Sequence, residues 1–247
     1  MLSPPSPQVL KLLTLNVHKG VSAWRRPILD KLKSALAGVG ADVVCLQEVR
    51  GGSPQASPQY EALADGLWPE HAYGRNAATS SGDHGNAVLS RWPILSARNH
   101  DLSLPGDEVR SVLHCVLDMP PLSRALHVMC VHLGLRESHR RLQMQRLLGV
   151  VQSIGPEAPV VVAGDFNDWR QRADLALASA GLHEVHARHY GTPARTFPAR
   201  WPVLALDRIY LRGLGSSRPL PLPRQPWRDL SDHVPVAAAM TLAAEAP

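Results

Sequence analysis

Polar residues that can bind metal ions or move protons recur at the margins of apolar segments in this sequence. They are Asn16, Glu48, His132, Asp165, Asn167, Asp207, Asp232 and His233. Each one alone is unremarkable, because Asp and Asn commonly form turns at strand ends. If the apolar segments are neighbouring strands, the whole set lies at one edge of the fold and lines a cleft. We therefore predict one polar site built from distant parts of the chain.

The residue types in this set favour hydrolysis of a phosphate ester. Carboxylate and amide oxygens suit a hard cation such as Mg²⁺, which keeps waters and substrate phosphate as further ligands. Mn²⁺ is a possible substitute, whereas the absence of cysteine from the set argues against zinc. The reaction needs a positioned water, positive charge on the phosphoryl oxygens and a proton for the leaving oxygen. Histidine and a hard cation together meet these needs.

Short apolar runs rich in β-branched residues predict the strands that would position this site. They cover 10–17, 42–49, 85–90, 94–98, 110–117, 125–132, 159–163, 206–211 and 235–242. Helical periodicity is confined to 27–37, 137–151 and about 170–180. We read 51–59 as an exposed loop and the proline-rich 217–227 as an irregular connection. Many strands with few helices predict an α+β fold of two packed, mostly antiparallel sheets flanked by helices.

The bulk properties predict one globular domain. The chain has 247 residues, of which 45% are hydrophobic and 19% charged, and it contains no apolar run of the roughly 20 residues that a membrane span needs. We expect an N-terminal extension at 1–9, a domain at 10–247 and a monomer without stable membrane insertion. The first residues lack a secretory pattern, which predicts a cytoplasmic location. Three cysteines, Cys45, Cys115 and Cys130, are expected in the core, and the net charge of +5 favours anionic partners.

Seven short motifs give the chain a family resemblance. In order, they are LNVHKG, LQEV, GNAVLSRWPI, VHLGL, GDFND, LDRIYL and SDHVPV. Over about residues 10 to 242 the sequence resembles the endonuclease/exonuclease/phosphatase superfamily, in particular its small single-domain bacterial members. The resemblance implies the deoxyribonuclease-I-like fold, a four-layer α/β/β/α sandwich, and a divalent-metal-dependent phosphoesterase.

The resemblance also implies a metal-binding group. Glu48 matches the principal metal-binding carboxylate, Asn16 lies beside it to orient metal or phosphate, and Asp232 matches a carboxylate near the metal. His18 stands where repair endonucleases of the superfamily carry an aspartate. That departure leaves open whether one metal or two are bound, and whether His18 lines the site or the plain surface.

The remaining residues match catalytic and substrate-binding positions. Asp165 matches the aspartate that orients or deprotonates water, and Asn167 matches an amide that donates to a phosphate oxygen. His233 matches the histidine on the scissile phosphate, with Asp207 as its carboxylate partner. His132 matches a second histidine, a general acid or a transition-state donor. Arg110 resembles a residue that steers phosphate, with an ordinary strand-edge charge as the alternative.

The substrate is the least determined feature. Members of the superfamily cleave nucleic acids, nucleotides, phosphoinositides and sphingomyelin with nearly the same central residues. The segment before Asp207 interleaves bases and aromatics, namely Arg188, Tyr190, Arg195, Phe197, Arg200 and Trp201. This mixture suits a nucleic-acid strand or a lipid interface, while Phe197 and Trp201 could also be core residues. We expect a nuclease-like phosphodiesterase, with a phospholipid or inositol-phosphate enzyme as the alternative and an inactive binding module as the less favoured one.

Several other polar residues receive no catalytic role. Asn86 is expected only to support the site, and the arginines of helix 137–151 and its N-terminal flank are expected on a solvated face. Surface or hydrogen-bonded core positions are expected for the histidines His84, His114, His127, His183, His186 and His189.

Overall fold

The computed structural model describes residues 9–22, 24–53, 56–79, 82–120, 122 and 124–242. The strands are β1 (Val9–Asn16), β2 (Val43–Arg50), β3 (Glu70–Thr79), β4 (Gly82–Ser90), β5 (Ile94–Asp101), β6 (Ser111–Leu117), β7 (Leu126–His132), β8 (Val160–Asp165), β9 (His183–Glu184), β10 (Asp207–Arg212), β11 (Ser217–Pro219) and β12 (Val236–Thr241). The α-helices are α1 (Leu29–Val39), α2 (Gln59–Ala64), α3 (Glu137–Gln152), α4 (Arg172–Ala178) and α5 (Val185–Tyr190). Of the predicted N-terminal extension only Val9 is described, and it already belongs to β1.

The strands form two six-stranded mixed sheets. The first sheet has the order β11-β12-β1-β2-β4-β3, and the second has the order β5-β6-β7-β8-β10-β9. One pair in each sheet is parallel, β1 with β2 and β7 with β8, and the other named pairs are antiparallel. The predicted class of two mostly antiparallel sheets is therefore confirmed.

Three apolar clusters hold four layers together. Between the sheets, inward residues such as Leu12, Cys45 and Ile209 form a central core. Outside the first sheet, Leu32 and Leu36 of α1 pack on its other face. Outside the second sheet, α3 and α4 cover a third cluster. Alternate strand residues serve different layers, because successive side chains of a strand point to opposite faces.

Most predicted elements are present, and the differences follow from weak local signals. All nine predicted strands and the three predicted helices occur, with shifted ends. The prediction missed β3, β9, β11, α2 and α5. Four of these are short, and β3 has the mixed sequence EHAYGRNAAT. The prediction of an irregular connection over 217–227 was wrong at Ser217–Pro219, which forms a strand paired with β12. The predicted loop 51–59 overlaps α2 by one residue, because the helix begins at Gln59.

One arginine of α3 departs from the predicted solvated face. Arg140 is buried, donates to the carbonyl oxygens of Gly134 (3.1 Å) and Leu135, and lies 4.7 Å from the Trp169 ring centre. The first turn of α3 faces the loop after β7, whose carbonyls need donors. The three cysteines are free and buried as predicted, and the described helices are all too short or too polar to cross a membrane.

Candidate active site

The site forms at one edge of the sandwich because of the strand directions. In the first sheet, the parallel pair β1–β2 ends there and β12 begins there. In the second sheet, β7–β8 ends there and β10 begins there. The register aligns His132 with Asp165 and Asp165 with Asp207 across three adjacent strands. Most of the predicted residues are thereby brought together.

Asp165 lies at the centre of this group. Its Oδ2 is 3.2 Å from Asn16 Nδ2, 3.5 Å from His132 Nε2 and 3.8 Å from His233 Nε2. Its Oδ1 accepts the backbone N–H of Asn167 at 2.9 Å. The side chain is buried, and burial raises the pKa of Asp165 to about 7, although the positive charge of His233 acts to lower it. A buried carboxylate among convergent donors can orient a water molecule or accept its proton.

The backbone after β8 is shaped to expose these groups. Gly164 has a φ of +149°, and a Cβ there would lie 2.0 Å from the carbonyl oxygen of Val131 on β7. Only glycine allows this close approach of the two parallel strands. Asn167 follows with a φ of +50°, and its Nδ2 donates to the Leu133 carbonyl at 2.8 Å. The turn thus directs both Asp165 and Asn167 to the sheet edge.

His233 is held by a carboxylate on its far side. Asp207 Oδ2 lies 2.7 Å from His233 Nδ1, and both residues are buried. Burial alone would lower the pKa of His233, but the charges of Asp207 and Asp165 outweigh it and raise the pKa to about 10. The ring therefore carries a positive charge at neutral pH and presents Nε2 towards Asp165. This arrangement suits a group that contacts an anionic phosphoryl oxygen.

His132 has a tautomer fixed by its neighbour. Arg110 Nη1 lies 3.2 Å from His132 Nδ1, and a guanidinium can only donate, so Nδ1 accepts and the proton is on Nε2. Burial and the Arg110 charge keep the pKa of His132 well below its usual value. His132 is therefore a neutral donor towards Asp165, which favours the transition-state donor of the two roles expected for it.

The sequence missed two residues behind His132. Glu108 Oε2 pairs with Arg110 Nη2 at 2.9 Å, and Glu108 Oε1 lies 3.2 Å from His84 Nε2. A buried guanidinium next to an imidazole needs such an anion. Arg110, expected to steer phosphate, has its guanidinium engaged by Glu108 and His132. One sequence feature could have revealed this group: Arg110 stands at the beginning of an apolar strand, two residues after the acidic Glu108.

Glu48 reaches the site through a break in strand pairing. The register between β2 and β4 shifts between Leu46 and Val49, and Glu48 has a φ of +56°. Its Oε1 lies 3.2 Å from Nδ2 of Asn16, the amide that also contacts Asp165. Asn16 Oδ1 accepts the backbone N–H of His18 at 3.0 Å. One amide thus joins a half-buried carboxylate to a buried one.

Asp232 lies at the more open side of the site. It is half-buried, its Oδ1 is 3.2 Å from the Ser231 hydroxyl, and His18 Nδ1 is 3.8 Å away. The Ser231 hydroxyl is also 2.7 Å from the Asn16 carbonyl oxygen, which ties this loop to β1. His18 therefore lines the site beside Asp232.

The donor chemistry fits a hard cation. In the described residues, possible ligand atoms of Asp165, Asp207 and His233 all lie within 4.8 Å of one another, but the charged ring of His233 cannot bind a cation, which leaves the carboxylate oxygens. Glu48 adds a carboxylate that solvent can reach, and the cysteines are buried in the core. Oxygen donors at a half-open edge suit Mg²⁺ or Mn²⁺ better than zinc.

Comparison with known sequences gives one family. The sequence model of the Endonuclease/Exonuclease/phosphatase family matches residues 13–233. The chain is 50% identical over 244 residues to the uncharacterized protein YbhP of Escherichia coli K12, covering 94% of this chain and 96% of that protein. The same identity and coverage hold for the YbhP protein of Shigella flexneri.

Solved structures share the fold at low sequence identity. An endonuclease/exonuclease/phosphatase from Beutenbergia cavernae superposes with a TM-score of 0.75 at 19% identity, covering 96% of this chain and 72% of that one. One from Bacteroides vulgatus gives 0.73 at 18%, covering 96% and 100%. TDP2 from Caenorhabditis elegans gives 0.72 at 16%, covering 95% and 74%. The fold of this chain is therefore one that solved structures already contain.

Proposed function

Since the chain belongs to the endonuclease/exonuclease/phosphatase family, whose members hydrolyse phosphoester bonds, we propose that it is a divalent-metal-dependent phosphodiesterase acting by in-line attack of water. The observation that carries the proposal is the convergence on Asp165 Oδ2 of three side-chain nitrogens, from Asn16, His132 and His233. A phosphoryl group that enters this edge meets donors to its oxygens and a carboxylate that can take a proton.

The chemistry divides among these residues according to their protonation. Asp165 orients the attacking water and accepts its proton, since a carboxylate with a raised pKa is a better base at neutral pH. His233, charged through Asp207, contacts the scissile phosphoryl oxygen. His132 donates Nε2–H to the same group, and Asn167 supports it from the turn after β8. The donors are in place before substrate arrives, which is the basis of electrostatic catalysis.

The metal is assigned to the half-open part of the site. Glu48 would be its main ligand, with Asn16 and Asp232 completing the protein's contribution. When bound, Mg²⁺ or Mn²⁺ supplies positive charge against the phosphoryl oxygens. Glu48 is bridged through Asn16 to Asp165, so the two negative groups lie close enough for a cation to relieve their repulsion.

We also propose that the protein is located in the cytoplasm.

Hydrolysis of bis(p-nitrophenyl) phosphate tests the proposal directly. We expect release of p-nitrophenol with Mg²⁺ or Mn²⁺, loss of the signal with a chelator, and recovery when the cation is restored. p-Nitrophenyl phosphate, run in parallel, separates diesterase from monoesterase action. Hydrolysis that persists in chelator would contradict the metal assignment. Absence of hydrolysis of every phosphoester offered would favour a binding module instead.

The substrate alternatives remain nucleic acid and a phospholipid or inositol phosphate. The central residues are compatible with either, because they contact the phosphoryl group rather than what it joins. A panel of plasmid DNA, RNA, inositol phosphates and phospholipid vesicles under identical conditions ranks them. The exposed surface that Trp24 and Trp201 form beside the site favours the lipid.

A further inference from the structure

Two tryptophans project into solvent beside the proposed active site. Trp24 lies between β1 and α1 with 69% of its surface exposed, and Trp201 lies between α5 and β10 with 75% exposed. Arg200 Cζ is 5.4 Å from the Trp24 ring centre, and Arg224 Cζ is 5.5 Å from that of Trp201. We call Trp24, Arg200, Trp201 and Arg224 the tryptophan ledge. Two large indoles side by side leave a continuous apolar surface in water, and covering that surface with a partner is favourable.

The ledge is attached directly to the site. The backbone N–H of Ala199 donates to the Asp232 carbonyl at 2.7 Å, one residue before Arg200. The ring of Phe197 lies 5.0 Å from the ring of His233. Whatever covers Trp24 and Trp201 therefore lies next to the catalytic edge.

Two apolar grooves adjoin the ledge. The larger, about 1130 Å³, includes Trp24, and the smaller, about 480 Å³, includes Trp201 and the 60% exposed Val203. The proline-rich segment 220–223 and the buried Trp227 line both grooves. Prolines and aliphatic side chains offer few hydrogen bonds to a polar ligand. The smaller groove therefore suits hydrocarbon, whereas the larger groove also contains charged side chains, including Asp30 and Lys31.

The charge around the ledge is mainly positive. Exposed cations on or next to it are Arg25, Arg26, Arg200 and Arg224. Asp229 pairs with Arg200 at 2.9 Å and offsets part of this charge. The exposed Asp30 also reduces it, and the remaining positive charge attracts an anionic surface.

We propose that the tryptophan ledge docks the protein on an anionic phospholipid bilayer, with acyl chains or glycerol backbones entering the two grooves. Tryptophan and arginine together are at home at the boundary between headgroups and hydrocarbon. This docking rests on the proposed phosphodiesterase function and gives it a substrate, the headgroup diester next to Asp165 and His233. A nucleic-acid strand fits less well, because a strand stacked on the indoles leaves the apolar smaller groove unfilled.

Vesicle flotation tests the docking without any need for turnover, so its failure is distinguishable from failure of the proposed hydrolysis. The full chain is mixed with vesicles of pure phosphatidylcholine, or of equal parts phosphatidylcholine and phosphatidylglycerol, and floated through a density step. We expect binding to the anionic vesicles, weaker binding at high salt, and at least about a tenfold loss of partitioning for the double variant Trp24→Ser, Trp201→Ser.

A matched control removes exposed apolar side chains elsewhere. Leu95→Ser, Leu175→Ser changes residues 60% and 82% exposed on β5 and α4, and it should float like the wild type. The thermal unfolding midpoint shows whether either double variant is folded. Lack of wild-type flotation, or an equal loss in the control, overturns the proposal. Binding of a single-stranded oligonucleotide that depends on Trp24 and Trp201, without flotation, assigns the ledge to nucleic acid instead.

Discussion

The two sheets place functional residues at equivalent positions. Each sheet has a central parallel pair of strands with polar residues at their carboxyl ends. The neighbouring antiparallel strand carries another polar residue at or just before its beginning. The first sheet contributes Asn16, Glu48 and His233, and the second contributes Asp165, His132 and Asp207. Neither sheet alone supplies all of these side chains. The site exists because two similar edges face each other.

The two halves differ in their access to water. In the second sheet, Asp165 and Asp207 are 1% and 0% exposed. In the first sheet, Glu48 and Asp232 are half-buried. A buried carboxylate has a shifted proton affinity, whereas Mg²⁺ dehydrates reluctantly and needs an accessible site. The difference is the basis on which we propose proton transfer by the second sheet and cation binding by the first.

The strongest test of this division is Asp165→Asn. The substitution keeps the shape but removes the base and the charge opposite His132 and His233. We expect kcat for bis(p-nitrophenyl) phosphate to fall by about 10³-fold. Asp65→Asn, at a side chain 84% exposed, is the matched control and should retain wild-type turnover. A loss of less than about tenfold would remove Asp165 from the chemistry.

The next largest effect is expected from Asp207→Asn, which acts through His233. Asp207 raises the pKa of His233, so its removal lets the imidazolium lose its proton at lower pH. We expect kcat to fall by about 10²-fold at neutral pH and its alkaline limb to move to lower pH. A pH profile of kcat at saturating Mg²⁺ measures both. An equal drop at every pH, with the limb unmoved, would mean that the charge on His233 is not required.

The sequence predicted that the residues of the second sheet would lie together, because they adjoin strong strand signals. VVVAGDFND shows both a buried strand and its polar end. Glu108 and His84 received no place near the site, since neither belongs to a named motif and both join His132 only through folding. Trp24 and Trp201 are 177 positions apart along the chain, so their common ledge is likewise a product of tertiary structure.

The fold was predicted where burial leaves a periodic pattern and missed where it does not. β8 is buried on both faces and reads as an apolar run. β3 is the edge strand of the first sheet, bonded to β4 on one side, and its sequence carries no such run. Edge strands tolerate polar residues because one side meets solvent. Pairing with a neighbour, which a local pattern cannot report, made it a strand.

A third prediction concerns the cation-binding half. Glu48→Gln keeps the contact with Asn16 possible but removes the negative charge. We expect the Mg²⁺ concentration for half-maximal activity to rise by about tenfold or more, with a smaller change in kcat at saturating Mg²⁺. Glu61→Gln, at an exposed position of α2, is the matched control. A collapse of kcat at every Mg²⁺ concentration, with unchanged half-saturation, would place Glu48 in the chemical step instead.

The smallest effect is expected where the two halves are joined. Asn86 of β4 is buried, and its Nδ2 donates across the sandwich to the carbonyls of Ser111 (3.0 Å) and Cys130 (3.2 Å). Asn86→Ala should lower the free energy of unfolding in urea by about 1–3 kcal/mol, because it removes donors from a dry interface. Turnover should fall only a few-fold, roughly in line with loosened alignment.

Asn99→Ala supplies the comparison, since Asn99 also bridges the sheets, donating to the Arg75 carbonyl at 2.9 Å, but at an exposed position. Water can replace that bond, so its loss should cost less than about 0.5 kcal/mol. A cost for Asn86→Ala as small as that expected for Asn99→Ala would mean that the buried hydrogen bonds do not help to align the edges. A larger cost for Asn86, accompanied by the small fall in turnover, would show that buried polar contacts help keep the two half-sites in register.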